Sequence, residues 1–260
     1  MFASRPIFGM IHLRPLPGAP LFAGSLDAVI EAALADARAL AAGGCDGMVF
    51  ENFGDRPFFK DGVPPETVAA MTRLIADVTR EVALPFGVNV LRNDASSALA
   101  IAAATGAAFI RVNVHTGAML TDQGIIEGRA AETLRLRARL APHVLVFADH
   151  RVKHAAPLAE VDEEQAAKDL RQRGLADAVI VSGRETGAAP DAARFARVRA
   201  AVDGPLLVGS GLSEANAGTF ADADGAIAGT SIKRDGRVDA PVDAARVARL
   251  VAAFRSRGGR

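Results

Sequence analysis

Short apolar runs and longer amphipathic stretches alternate from one end of this chain to the other. The runs at 7–11, 47–50, 86–90, 109–114, 144–147, 178–181, 206–208 and 226–228 are too short for helices and are bounded by Gly, Pro or Asp. They predict eight strands. Between the first two, Leu26, Val29, Ile30, Ala33, Leu34, Ala37 and Leu40 recur at spacings of three and four, with Ser25 as N-cap and Gly43-Gly44 as the stop. A second helix opens at Pro65, lines one face with Val68, Met71, Ile75, Val78 and Val82, and is ended by Pro85. A third starts at Asn93 or Asp94. Further amphipathic segments cover about 127–140, 162–173, 191–202 and 242–254, with a short one after Ser213.

Strict alternation of strand and helix predicts a parallel sheet, and eight units in this length predict an α/β chain folded as one (β/α)8 barrel. An open doubly wound sheet is the competing architecture. Against it, the first strand runs into His12-Leu13-Arg14-Pro15-Leu16-Pro17-Gly18, whose prolines cannot make the glycine-rich helix entry that dinucleotides require. No cofactor fingerprint stands elsewhere. With no composition shift or long linker, residues 1–260 read as a single domain, with 254–260 as a flexible tail.

Composition narrows the partners. The 30 basic and 30 acidic side chains cancel, and there is no Trp or Tyr, so nucleic acid lacks both an electrostatic footprint and stacking platforms. One cysteine, Cys45, cannot form an internal disulfide, and the first residues lack a secretory pattern, which together point to the reducing cytoplasm. No apolar run approaches the roughly 20 residues of a membrane span, so any membrane contact would be peripheral. A homo-oligomer stays open.

In such a barrel the chemistry belongs at the C-terminal strand ends, where all eight loops converge. Polar residues crowd those positions: His12; Glu51 and Asn52; Asn89, Arg92 and Asn93; Arg111, Asn113 and His115; Asp149, Lys153 and His154; Ser182 and Gly183 with Thr186 and Gly187. The last two strands end instead in Gly209-Ser210-Gly211 and Gly229-Thr230-Ser231, with Lys233 just beyond. Glycines there let the backbone approach an anion and aim amides at it, so Gly209, Ser210, Gly211, Gly229, Thr230 and Lys233 form a candidate phosphate cradle. The competing account is that the glycines merely permit tight turns.

These motifs resemble the BtpA/SgcQ family over nearly the whole chain. The resemblance is carried by Gly9-Met10-Ile11-His12-Leu13, Glu51-Asn52-Phe53-Gly54-Asp55, Gly87-Val88-Asn89-Val90-Leu91-Arg92-Asn93-Asp94, Phe109-Ile110-Arg111-Val112-Asn113-Val114-His115, Val152-Lys153-His154 and the two glycine turns. His150 departs from the expected apolar residue after Asp149. The resemblance implies a ribulose-phosphate-binding type of barrel and, in photosynthetic bacteria, a peripheral membrane protein needed for stable photosystem I.

Each candidate has a competing structural role. Glu51 and Asp55 can act as acid and base on a phosphorylated small molecule, or Glu51 can hold a neighbouring cation. Asp149 can orient a substrate hydroxyl or form an ion pair at the rim, and His12 can be a base or a rim support. Arg92 and Arg111 can grip an anion, with Asn52, Asn89, Asn113, His115, Ser182 and Gly183 as further substrate contacts, or the arginines can pair with Glu51 and Asp149. Lys153 can form a Schiff base or serve as a charge partner. Metal is not expected, because the paired histidines that open metal-dependent barrels are absent. The 53–64 loop, with Phe53, Phe58 and Phe59, reads as a lid, a plug or a docking patch. An enzyme performing lyase or isomerase chemistry on a phosphorylated metabolite is the leading expectation, with a non-enzymatic assembly factor as the alternative.

Overall fold

The computed structural model describes residues 5–183 and 186–256. Eight parallel strands close into a barrel: β1 (Ile7–His12), β2 (Gly47–Glu51), β3 (Phe86–Asn89), β4 (Phe109–Val112), β7 (Leu145–His150), β9 (Ala178–Val181), β10 (Leu206–Val208) and β11 (Gly225–Ala228), with β1 paired to both β2 and β11. All eight predicted strands are present. The remaining three, β5 (Ala118–Thr121), β6 (Gly124–Glu127) and β8 (Ala155–Pro157), make a separate antiparallel sheet from the loops after β4 and β7.

Helices α1 (Leu26–Ala42), α2 (Pro65–Glu81), α3 (Ala95–Thr105), α4 (Ala130–Leu140), α5 (Glu163–Lys168), α6 (Ala192–Ala201) and α7 (Ala244–Ser256) surround the barrel. Their ends obey local chemistry. Ser25 accepts from the Ala28 amide, Asp94 from the Ser97 amide, and Pro65 opens α2 where its missing N–H costs nothing. α5 continues into a π-helical turn, Asp169–Arg173, and after β10 a 3-10 turn, Ala217–Phe220, replaces a full helix. The last helix reaches Ser256 with Phe254 fully buried, so 254–256 are helix rather than tail, and 257–260 lie outside the described residues.

The core has two shells. Between strands and helices lies one large apolar cluster that includes Ile11, Leu40, Phe50, Met71, Leu74, Val179 and Phe254. Inside the barrel, Phe8, Met10, Val49, Phe109, Phe147, Ile180, Leu207 and Ile227 form a plug in which the rings of Phe109 and Phe147 stack at 4.2 Å. Gly87 leaves that stack room, since a Cβ there would stand 2.3 Å from Phe109. Side chains alternate across a strand, so the positions two residues beyond this plug face the same interior one layer higher. They are His12, Glu51, Arg111, Asp149, Ser182, Gly209 and Gly229, with Asn89 of β3 beside Glu51 in register. The interior therefore changes from apolar to polar within a single layer, at the C-terminal ends of the strands.

Candidate active site

Above the apolar plug, charge is organised around Asp149, which is buried to 4 % exposure. Arg111 donates to both its oxygens, from Nε at 3.1 Å and a terminal nitrogen at 2.9 Å, and Asn113 adds a bond of 2.7 Å. Ser182 Oγ donates to it at 3.4 Å. Asn89 supports the group from below by donating to Arg111 O and Asn113 Oδ1, both at 3.2 Å. A bidentate, fully surrounded pair of this kind is fixed in orientation. Arg111 and Asp149 thus take the ion-pair role that competed with substrate contact.

Glu51, also buried, has no such clamp among the described residues. His12 Nε2 stands 3.7 Å from Glu51 Oε1, the two residues being register partners on β1 and β2. Burial raises the Glu51 pKa, against the pull of Arg111 and Lys153. Burial, with Lys233, Lys153 and Arg111 adding to it, drives the His12 pKa well below its usual value, so its ring is neutral near pH 7. Phe53 packs on that ring at 4.7 Å. Lys153, on the loop after β7, is lowered to about 8 by burial and then by Arg111, with Glu51 and Asp149 opposing.

These groups border a cavity of about 500 Å³ lined by His12, Glu51, Phe53, Arg56, Phe58, Leu91, Arg92, Arg111, Asn113, Asp122, Val152, Lys153, His154, Thr186 and Val238. Arg92 donates to the Lys153 carbonyl at 2.5 Å, and Arg56 sits over the Phe53 ring. Among the described residues, neither Arg56, Arg92 nor Lys153 has a carboxylate within ion-pair distance. Three cations therefore face a concave space with their charge uncompensated by such pairs.

Several expected site residues are engaged elsewhere. Asp55 does not border the cavity; it accepts from the Leu16 amide at 2.8 Å and from Asn52 at 3.2 Å, which ties the 53–55 turn to the loop after β1. Asn52 also accepts from the Leu91 amide at 2.7 Å, bracing the β2 and β3 ends. Asp55 is thus committed to this brace, while Glu51 borders the cavity. His115 is turned outward and its Nε2 bonds to Gly174 O at 2.8 Å. Lys233, only 2 % exposed, pairs with Asp36 of α1 at 3.3 Å and donates to Ala240 O. It is committed to the wall rather than to an anion.

The glycine turns are adjacent but covered. Ser210 Oγ accepts from the Gly183 amide and donates to Ala188 O, both at 2.9 Å, while Gly209 N–H is bonded to Val181 O. A Cβ at Gly211, whose φ is +65°, would lie 2.0 Å from the Ala189 nitrogen, so the 187–189 backbone rests directly on this turn. Gly187 in turn faces Thr230, and Gly229 faces the His12 ring at 3.3 Å from its Cβ position. The two turns are joined through this segment, and Thr186 carries it to the cavity wall.

Loop 53–64 is divided: Phe53 and Phe58 border the cavity and Phe59 is exposed, while Phe59 O and Asp94 hold the loop through the Arg92 and Val63 amides. His150 is buried, its pKa lowered to about 3 by burial and by Arg194 and Arg151. His154 is exposed and bonds to Thr186 Oγ1 at 3.2 Å. No three His, Cys, Asp or Glu side chains gather as metal ligands among the described residues. Sequence reasoning placed Thr186 among the strand-end residues and missed Asp122. Asp122 reaches the cavity on the turn between β5 and β6, and the Thr121-Asp122-Gln123-Gly124 turn, with Gly124 at φ +94°, was the signal available.

Relatives place this geometry in context. The sequence pattern described as the BtpA family matches residues 3–256. The chain is 47% identical over 96% of its length to the photosystem I biogenesis protein BtpA of Synechocystis, covering 88% of that protein. It is 49% identical over 96% of its length to a protein of Thermococcus kodakarensis, covering 95% of it. Among solved structures, thiamine phosphate pyrophosphorylase from Pyrococcus furiosus superposes with a TM-score of 0.62 at 12% identity, covering 98% of this chain and 97% of that one.

Proposed function

Since the chain belongs to the BtpA family, whose barrel is shared with an enzyme named for a phosphorylated compound, we propose that it binds a phosphorylated small metabolite at the barrel mouth. There it performs acid–base lyase or isomerase chemistry. Fold likeness alone carries no chemistry. The observation that carries the reading is the set of three cations, Arg56, Arg92 and Lys153, bordering a cavity of about 500 Å³ with no ion-pair partner among the described residues. Cations gathered around a concavity favour an anionic ligand.

Arg56 and Arg92 hold the anionic end of that ligand, with the Thr186–Gly187 and Gly229–Thr230 backbone as its further support. Glu51 moves the proton. Its burial keeps the carboxyl protonated to higher pH than a free glutamate, and the neutral His12 beside it places no positive charge there to draw that proton away. Asp149 and Arg111 hold the floor of the site rigid.

Thermal unfolding with inorganic phosphate and a panel of sugar phosphates tests the reading. A ligand at a hundredfold excess over its Kd stabilises the native state by about 2.7 kcal/mol, so the parent protein is expected to melt several degrees higher. Thr230→Glu sets a like charge against the anion and is expected to abolish the shift while leaving the unliganded melting point nearly unchanged. A parent protein that responds to no phosphorylated compound would leave the assembly-factor role as the better account.

A further inference from the structure

Only four of the 30 basic side chains are lysines: Lys60, Lys153, Lys168 and Lys233. Elsewhere the chain uses arginine for surface pairs, helix faces and the buried clamp on Asp149. Lys60 is exposed, Lys168 lies on α5, and Lys233 is spoken for by Asp36. Lys153 differs from all three. It borders the mouth cavity, makes no ion pair within 4.0 Å among the described residues, and is held in place at its own carbonyl by Arg92.

Arginine would serve equally well, or better, if this position only needed a permanent positive charge, because a guanidinium is always protonated and binds phosphate in two-pronged fashion. What an amine offers and a guanidinium does not is a lone pair. The surroundings favour releasing it: Lys153 is largely removed from water, and Arg111 and Arg92 press positive charge on it, which against the pull of Glu51 and Asp149 brings its pKa to about 8. Glu51, a buried carboxyl with a raised pKa, borders the same cavity and supplies a proton donor.

We propose that Lys153 Nζ forms an imine with the carbonyl group of the substrate, which makes the natural ligand an aldehyde or ketone carrying a phosphate. The inference rests on the reading above that the mouth takes a phosphorylated metabolite. The nitrogen lone pair forms a bond to the carbonyl carbon as the C=O π pair moves to oxygen, and a proton passes from nitrogen to that oxygen. Glu51 then gives the resulting hydroxyl a proton, the C–O bond breaks, water leaves, and the nitrogen pair closes a C=N bond bearing positive charge. Glu51, now a carboxylate, removes a proton from the adjacent carbon, and the C–H pair flows into the iminium. Glu51 returns that proton to carbon, which restores the iminium; water then adds to the C=N carbon, a proton passes to nitrogen, and the C–N bond breaks as the carbonyl re-forms, so the amine is released and no oxidant or co-reactant is consumed.

Reductive trapping tests this directly. The full-length protein is mixed with glyceraldehyde 3-phosphate, dihydroxyacetone phosphate or glycolaldehyde, reduced with sodium borohydride, and the modified lysine located by peptide mass spectrometry. The lowered pKa of Lys153 frees its amine near neutral pH by more than the lower basicity costs in reactivity, so it is expected to be labelled roughly tenfold faster than Lys60. Its labelling should rise through about pH 8. Labelling of Lys60 and Lys153 at equal rates, in native protein, overturns the proposal. Inorganic phosphate separates the two readings: it should slow labelling by the phosphorylated carbonyls. Phosphate stabilisation without Lys153 labelling removes the imine and keeps the binding site, whereas Lys153 labelling by glycolaldehyde that phosphate neither slows nor competes with keeps the imine and removes the phosphate.

Discussion

At the scale of single residues, the site is governed by which charges have partners. Asp149 and Arg111 are both nearly solvent-free, so removing one leaves the other charged in a poor medium. Asp149→Asn is expected to cost about 3–5 kcal/mol in denaturant unfolding, and pairing it with Arg111→Met should recover most of the loss. Lys153 has the opposite economy. Its folded pKa of about 8 lies below the unfolded value of 10.5, so between these two pH values the unfolded chain holds a proton that the folded chain has released. Stability attributable to this residue therefore rises with pH across that window and is lowest below about pH 8. Lys153→Met should be more stable than the parent by about 2 kcal/mol near pH 7, allowing for its partial exposure, with the advantage vanishing above the window. Melting curves of the two proteins at matched pH values check this. Residue identity was legible in the sequence where a strand end dictated it: His12, Glu51, Arg111, Asp149 and Ser182 all face the interior because they continue an alternation begun by apolar residues. Whether a side chain met a partner was not legible. Lys233 pairs with Asp36, some 200 positions away, and Asp55 bonds to the Leu16 amide; neither partner is announced by spacing.

At the scale of elements, alternation of apolar runs with amphipathic stretches was enough to locate all eight barrel strands and the helices that cover them. The antiparallel sheet of β5, β6 and β8 escaped. Its strands are three or four residues long, too short for period-two alternation to stand out, and β8 joins from a different loop. Gly124 to Glu127 also runs on toward α4 and merges with its helical pattern. The sheet buries Met119 and Ile126 against Val114 and Val152, a satellite cluster apart from the main core. Ile126→Ala should therefore loosen this sheet alone. Hydrogen exchange is expected to accelerate in 118–127 and 155–157 by the equivalent of about 2–4 kcal/mol, while the barrel strands keep their protection. Because Asp122 rides on this sheet, and Val152 and β8 flank Lys153 in the chain, the same variant should loosen this wall of the cavity and weaken ligand affinity while leaving Glu51 in place.

At the scale of the whole molecule, the fold is a circle drawn by a linear chain. β1 pairs on one side with β2 and on the other with β11, in the register Ile7 to Ala226, and the Lys233–Asp36 pair locks α1 to the loop beyond β11. Arg5 reaches across the same seam to the Phe220 and Ala223 carbonyls. During synthesis the opening strand leaves the ribosome more than 200 residues ahead of its second neighbour. Until then one edge of a strongly apolar ribbon has no partner and is open to pairing with other nascent chains. Helper proteins that shield emerging polypeptides thus have their longest task at the very beginning of this one, and the rate at which translation delivers the final strand sets how long that exposure lasts.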